Sequence, residues 1–337
     1  MRIGVGIIGC GYWGPHFIRI VRESNLSELI RVCDTDKSRV RECKKLFQGI
    51  EFTTSLADIL SDSSIQAVII STPVTTHYKL ASLCLSSKKH VLCEKPLTLN
   101  SAQAKKLIAL SRKENVVLMT GHVFKFNAVV RYMKQMIDKK SLGEILYINM
   151  LRTGLGPVRN DVNVVYDLAT HDISILNFLF NRLPLSVSAI GRSFVSSKFE
   201  DIAIINLEFP PKAIATLVVS WMDPIKQRLI RVIGTKKMLL FDDVSTTEKL
   251  KIINTGKNYQ SLRGDFGSFQ LSIKDGDIVI PNIKYPEPLK MEYEHFLSCI
   301  RKNLNPEADG KDGLEVVKVL EAVCESIKND GKKIVLN

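Results

Sequence analysis

Several things are missing from this sequence of 337 residues, and each absence removes a class of protein. No window holds about 18 uninterrupted apolar residues, so no segment is expected to span a membrane. No Cys-x-x-Cys pair occurs. The seven cysteines, Cys10, Cys33, Cys43, Cys84, Cys93, Cys299 and Cys324, are odd in number. Most sit in apolar stretches, where cysteine behaves as a small buried hydrophobe. A disulfide framework is therefore not expected, and a reducing cytoplasm is the expected compartment. Neither H-E-x-x-H nor another metal-ligand spacing is present, so no catalytic metal is expected. There is no G-x-S-x-G elbow of the kind that carries a nucleophilic serine. Met1-Arg2 leads into a short apolar run that meets glycines at once, unlike a secretory leader.

Also missing is any concentration of basic charge. The formal net charge is +12, yet lysine and arginine are spread along the chain in short pairs such as Lys44-Lys45 and Lys105-Lys106. Nucleic-acid binders gather their charge in a stripe or arm, so no nucleic-acid partner is expected. A lysine-rich solvated surface accounts for most of the excess, and small anionic ligands are compatible with the rest. Internal repeats and low-complexity segments are absent as well.

What is present is a hydrophobic share of 45% in a chain long enough for two domains. Short apolar runs alternate with amphipathic segments as far as about residue 120. Strands are predicted at Ile3–Ile8, Leu29–Cys33, Ala67–Ser71, His90–Cys93 and Val116–Thr120. Helices are predicted at Tyr12–Arg22, Lys37–Leu46, His77–Leu85 and Ala102–Lys113. Continuous apolar strands separated by helices indicate a doubly wound parallel sheet. After Gly121 the rhythm changes. Helices are predicted at Val129–Asp138 and Leu168–Phe180, and a strand at Ile145–Arg152. Strands at Ser186–Val195, Ile202–Phe209, Ala213–Trp221, Arg228–Ile233, Lys237–Phe241 and Lys249–Asn254 then follow with no helix between them. That succession indicates a largely antiparallel sheet. Helices at Leu289–Lys302 and Leu314–Lys328 close the chain. The expected organisation is an α/β Rossmann domain over residues 1–122 and an α+β domain with a large, open, mainly antiparallel sheet over 123–337, which binds substrate and mediates self-association.

Gly9-Cys10-Gly11-Tyr12-Trp13-Gly14 places G-x-G-x-x-G between the first strand and the first helix. Gly9 permits the tight turn, Gly11 admits a pyrophosphate and Gly14 lets helix and strand pack closely, so that helix-terminal amides hold the phosphates. Asp34 ends the second strand, twenty residues beyond Gly14, where a carboxylate binds both ribose hydroxyls. It also repels a 2′-phosphate, which favours NAD over NADP. Lys37 and Arg39 are the nearest basic residues.

Two further patterns carry chemistry. Cys93-Glu94-Lys95-Pro96 follows a strand directly. Lys95 reads either as a surface lysine in a strand–helix turn or as a group directed at the nicotinamide, because ligands of such sheets bind beyond the carboxyl ends of the strands. Asp167 and His171 stand four residues apart, which places them on one face of a helix. A neutral imidazole is a suitable base for removing a hydroxyl proton, and a carboxylate one turn away orients it and stabilises its charged form. A satisfied structural histidine is the plain alternative. His122, after Gly121, is a further candidate.

In order along the chain, Gly9-Cys10-Gly11-Tyr12-Trp13-Gly14, Asp34, Ser71-Thr72-Pro73 with Thr76-His77, Glu94-Lys95-Pro96, Gly121-His122 with Phe126-Asn127, and Asp167-x-x-x-His171-Asp172 resemble the Gfo/Idh/MocA oxidoreductases over nearly the whole length. The resemblance implies that Lys95 and His171 act on substrate with Asp167 as partner of His171. It also implies that Tyr12, Trp13, Ser71, Thr72, Pro73, His77 and Glu94 line the dinucleotide, and that His122 and Phe124 face the substrate. The segment from Leu151 to Arg159, followed by Asp161-Val162-Asn163, is similar to the branch containing UDP-N-acetylglucosamine 3-dehydrogenases. There Arg152, Arg159 and Asn163 become substrate contacts, the arginines by binding a diphosphate. Three functions remain open: a nucleotide-sugar dehydrogenase, a dehydrogenase or reductase of inositol, free sugar or keto-sugar, and a non-enzymatic NAD-binding regulator. Apolar strands such as Ala213–Trp221 leave a sheet face to be covered, so a homodimer or homotetramer through the C-terminal sheet is expected.

Overall fold

The structure is a computed structural model that describes residues 2–195, 198–254 and 276–336. Its elements are numbered along the chain. The first part runs β1 (Ile3–Ile8), α1 (Gly14–Glu23), β2 (Ser27–Cys33), α2 (Lys37–Leu46), β3 (Glu51–Thr53), α3 (Ala57–Leu60), β4 (Ala67–Ile70), α4 (Val74–Ser86), β5 (His90–Glu94), α5 (Ser101–Lys113) and β6 (Leu118–Gly121). It continues with α6 (Ala128–Asp138), β7 (Ile145–Leu155), α7 (Thr170–Phe180), β8 (Ser186–Arg192), β9 (Ile202–Phe209), β10 (Ala213–Ser220), β11 (Met222–Gly234), β12 (Lys237–Asp242), β13 (Leu250–Asn254), β14 (Ile278–Val279), α8 (Pro288–Lys302), α9 (Gly310–Lys328) and β15 (Ile334–Val335). The chain divides into two compact units, Met1–Phe126 with Pro286–Glu321, and Asn127–Tyr285 with Ala322–Asn337.

The first unit is built on a parallel six-stranded sheet in the order β3-β2-β1-β4-β5-β6. Every residue of β1 and β4 is buried, as a sheet covered on both faces requires. Helix starts are marked by side-chain caps. Asp36 accepts from the Ser38 and Arg39 amides at the start of α2, and Asn100 accepts from the Gln103 amide at α5. β3 and α3, of three and four residues, are too short to show a periodicity in the sequence. Segment 286–321, which the sequence alone grouped with the second domain, packs in this unit. Leu289, Tyr293, Phe296 and Leu297 of α8 share one core with Ile3, Phe17 and Ile20, and the Tyr293 hydroxyl donates to Ser27 Oγ at 2.7 Å. The strand order reverses between β1 and β4. The carboxyl ends of these two strands therefore form a switch point, where such sheets bind ligands.

The second unit holds a nine-stranded sheet in the order β14-β13-β12-β11-β7-β10-β9-β8-β15. Neighbours run antiparallel except β7 and β10, which pair in parallel. Alternation along β9 and β10 sends Ala203, Ile205, Leu207, Ala215, Leu217 and Val219 inward. The same alternation leaves Ile204 and Ile214 exposed on the other face, together with Tyr147 and Ile190. Among the described residues no helix is long and apolar enough to cross a membrane.

Candidate active site

The glycine-rich turn is built as its spacing implies. Gly9 has φ of +109°, and a Cβ there would lie 2.7 Å from the Ser71 carbonyl oxygen. A Cβ on Gly14 would lie 2.5 Å from the Gly9 carbonyl oxygen. At Gly11 the nearest atom to such a Cβ is Arg39 Nη1, at 3.6 Å, so the backbone there has room for a ligand. Asp34 stands beside the turn. Its Oδ2 accepts from the Cys10 amide at 2.6 Å and its Oδ1 from the Asp36 amide at 2.9 Å. Ser71 closes the turn from β4 by donating to the Gly9 carbonyl at 3.1 Å. Tyr12 is exposed, and Trp13 meets it edge-on at 5.8 Å while packing on the core. A glycine loop at a helix start, with a carboxylate at the end of the next strand, matches the phosphate and ribose groups of a dinucleotide.

The loops after β4 and β5 are tied together. His77 is buried, with Nδ1 at 2.9 Å from the Pro96 carbonyl oxygen and Nε2 at 2.8 Å from that of Thr72. This histidine, expected to line the dinucleotide, bridges the Ser71-Thr72-Pro73 and Glu94-Lys95-Pro96 turns. Lys95 is half-buried, precedes a cis proline, and donates its amide to Glu94 Oε2 at 3.1 Å. The Glu94 side chain lies over Gly121, where a Cβ would sit 3.4 Å from Glu94 Cδ. Burial pushes the Glu94 carboxyl up to about 7, against the opposing charge of Lys95. Behind it Glu292 is 0% exposed, and neither of its oxygens has a hydrogen-bond partner among the described residues. Burial, and then the charge of Glu94, hold Glu292 well above the ordinary carboxylate range.

His122 is also interior. Its Nδ1 lies 2.6 Å from Asp312 Oδ2, and Lys125 Nζ lies 2.8 Å from Asp312 Oδ1. Burial raises the Asp312 carboxyl, but the bonds from His122 and Lys125 outweigh it and leave the group below its ordinary value. Phe124 lies in the short turn Val123–Phe126 that follows β6.

In the second unit Asp167 and His171 do not share one regular helix. Residues Val165–Ala169 form a single wide π-turn that holds Asp167, and His171 lies in the first turn of α7. Asn163 caps this turn by accepting from the Tyr166 amide at 3.0 Å. Its own amide donates to Glu200 Oε2 at 2.9 Å, so it is engaged within the unit. The Asp167 carboxylate receives the Trp221 indole N–H on Oδ2 at 3.1 Å and faces Arg159 Nη1 from Oδ1 at 3.4 Å. Arg159 also forms a two-pronged pair with Asp161, at 2.8 and 2.7 Å. Arg152 is 6% exposed, and its guanidinium grips Asp172 through Nε at 3.0 Å and Nη2 at 2.8 Å. The two arginines expected at a diphosphate therefore each carry an acidic partner from this chain. Trp221, Asp161 and Asp172 were not singled out from the sequence as partners of these groups. Asp161 and Asp172 had a signal as members of quoted segments, Asp161 in Asp161-Val162-Asn163 and Asp172 as the residue after His171.

Two family models divide the chain between them: oxidoreductase family, NAD-binding Rossmann fold, over residues 3–122, and oxidoreductase family, C-terminal alpha/beta domain, over residues 134–336. Myo-inositol 2-dehydrogenase of Thermotoga maritima is 25% identical over 328 residues, covering 93% of this chain and 92% of that one. UDP-N-acetylglucosamine 3-dehydrogenase of Acidithiobacillus ferrooxidans is 26% identical over 318 residues, covering 94% and 95%. The solved structure of the latter superposes with a TM-score of 0.84 at 24% identity, covering 98% of both chains. The WlbA dehydrogenase of Bordetella pertussis, solved with NADH and UDP-GlcNAcA, gives 0.81 at 20% identity, covering 100% of this chain and 99% of that one. The chain belongs to the Gfo/Idh/MocA oxidoreductase family, and its first unit is an NAD-binding Rossmann domain.

Proposed function

We propose that this NAD-binding oxidoreductase acts at a ring hydroxyl of a sugar, and that its substrate is a UDP-N-acetylhexosamine oxidised at C3. The observation that carries the catalytic part is the half-buried pair Asp167 and His171, with the Asp167 carboxylate held by two donors. Bound NAD supplies the hydride acceptor. His171 removes the hydroxyl proton, and Asp167 stabilises the imidazolium that results. The Lys95 ammonium donates to the substrate oxygen. Gly9, Gly11, Gly14 and Asp34 hold the dinucleotide, with Ser71 and the Thr72-Pro73 turn fixed beside them by His77.

Likeness over nearly the whole chain to UDP-N-acetylglucosamine 3-dehydrogenase supports the substrate. One observation favours a second reading, an uncharged polyol or free sugar. Arg152 and Arg159 are both paired with carboxylates, which leaves those guanidiniums neutralised toward a diphosphate. The comparable likeness to myo-inositol 2-dehydrogenase agrees with it.

The test is a panel of UDP-N-acetylglucosamine, myo-inositol and glucose with NAD, followed by absorbance of the reduced nicotinamide, with UDP added as competitor. Turnover of the nucleotide sugar alone, inhibited by UDP, is the expected result. Turnover of myo-inositol or glucose, indifferent to UDP, replaces the substrate and keeps the chemistry. We further propose that the enzyme works in the cytoplasm and pairs through the outer face of its nine-stranded sheet, where Tyr147, Ile190, Ile204 and Ile214 are exposed.

A further inference from the structure

We infer that Trp221 and the Arg159–Asp161 ion pair are positioning groups for Asp167, which together fix the orientation of its carboxylate for His171. The inference rests on reading Asp167 and His171 as the acid–base pair. It deepens that reading by assigning Arg159 to the catalytic carboxylate instead of to a substrate phosphate.

The argument begins with the local backbone. A wide turn supports its residues less regularly than an α-helix, so Asp167 needs side-chain restraint to hold one rotamer. It has a restraint on each oxygen. Trp221 follows β10, is 3% exposed, and donates its indole N–H to Oδ2 at 3.1 Å. The indole is itself anchored through the main chain. The Trp221 amide donates to the Asp201 carbonyl at 3.0 Å, and the Trp221 carbonyl accepts the Gly156 amide at 3.3 Å. That second bond ties the start of the loop carrying Arg159 to the same residue. Arg159 faces Oδ1 at 3.4 Å and cannot swing freely, because its Nε and Nη2 are held by Asp161 at 2.8 and 2.7 Å.

The charge count points the same way. One guanidinium stands between two carboxylates, so its charge is already committed within the chain. Trp221 lies 54 residues beyond Asp167, so no short motif connects them.

The contact can be read without a substrate. The chain has two tryptophans, Trp13 and Trp221, and so two indole N–H signals in a nitrogen–proton correlation spectrum. Asp167→Asn should shift one of them and hasten its exchange with solvent. No shift in either signal overturns the contact.

Function is read by kinetics on whichever sugar of the panel above turns over. Trp221→Phe should lower kcat by about tenfold or more with KM within about twofold, as expected for losing a hydrogen bond to a charged group used in the transition state. Trp221→His, which keeps an N–H donor, should recover much of the loss. That separates positioning from a packing defect, which both variants would share. In an Asp167→Asn background Trp221→Phe should cost less than about twofold further, whereas an independent structural role would cost the full factor again. Arg159→Ala should likewise lower kcat and spare KM. A rise in KM for UDP-N-acetylglucosamine with kcat unchanged overturns its assignment here. If Asp167→Asn turns over like the wild type, the acid–base reading falls and takes this inference with it. If Asp167→Asn collapses while Trp221→Phe is unaffected, the positioning role alone is overturned.

Discussion

Replacing Arg152 by methionine should expose the cost of the buried ion pair, and should do so in a pH-dependent way. Arg152 on β7 and Asp172 on α7 are 6% and 2% exposed and joined by three contacts of 2.8 to 3.1 Å. Without the guanidinium, Asp172 is a carboxylate with no water to solvate it. Its cheapest response is to bind a proton. At pH 7 that costs about 4 kcal/mol, roughly three units above an unfolded pKa near 3.9 at about 1.4 kcal/mol each. At pH 5 the same step costs about 1.5 kcal/mol. The penalty is therefore expected to grow between these pH values.

The direction agrees with the intact protein. Burial raises the Asp172 carboxyl even against the lowering effect of Arg152. A raised carboxyl stabilises the fold below its unfolded pKa, and that contribution is lost as pH rises through the folded value. Removing the arginine extends this loss to higher pH. A loss of about 4 kcal/mol is a large part of the roughly 5–15 kcal/mol that holds a domain together. Urea unfolding at pH 5 and pH 7, followed by tryptophan fluorescence in a Trp13→Phe background so that Trp221 of the same unit is read, measures it. Adding Asp172→Asn to the Arg152→Met chain should restore stability at pH 7 to within about 1 kcal/mol of the wild type, since the buried carboxylate is then gone. If Arg152→Met is as stable as the wild type at pH 7, and instead raises KM for a UDP-sugar, the structural assignment is refuted. Arg152 is then the diphosphate ligand that the sequence alone suggested.

Three more expectations follow from the first unit and the proposed catalytic groups. Gly14→Ala places a methyl 2.5 Å from the Gly9 carbonyl oxygen, which must push α1 off the turn, so NAD affinity should fall at least about tenfold by titration calorimetry. Glu292→Gln should flatten the pH dependence of the melting temperature. In the wild type Glu94 and Glu292 keep their protons in the fold while the unfolded chain releases them from about pH 4.5, so stability declines as pH rises toward about 7. Identical melting profiles from pH 5 to 8 would show that Glu292 finds a partner. Lys95→Ala and His171→Ala should each reduce turnover by about a hundredfold or more while NAD still binds, and turnover at the wild-type rate in either would remove that residue from the chemistry.

The dinucleotide half of the site was legible because its signals are local. Gly9, Gly11 and Gly14 lie within six residues on one strand–turn–helix, and Asp34 ends the next strand. The apolar strands of a sheet covered on both faces read as unbroken runs, so the first 120 residues showed five of the six strands, and only the short β3 and α3 were missed. The four-residue spacing of Asp167 and His171 was equally visible, although the turn between them is wider than the helix assumed from it. The apolar face of α8 marked it as an amphipathic helix. It did not say which core would receive Leu289, Tyr293 and Phe296, because a hydrophobic stripe records that burial is needed and not against what.

Sequence by itself determined the fold class and the dinucleotide loop, and it singled out the side chains proposed to react. These follow from periodicity and from residue types set a few positions apart. Tertiary structure alone decided who partners whom: Trp221 with Asp167, Asp172 with Arg152, Asp312 with His122, and the two turns joined by His77. An arginine looks the same in a sequence whether it awaits a phosphate or already holds a carboxylate. Only the register of the strands and the packing of the helices bring its counterion within 3 Å, and charge neutralisation acts at that distance.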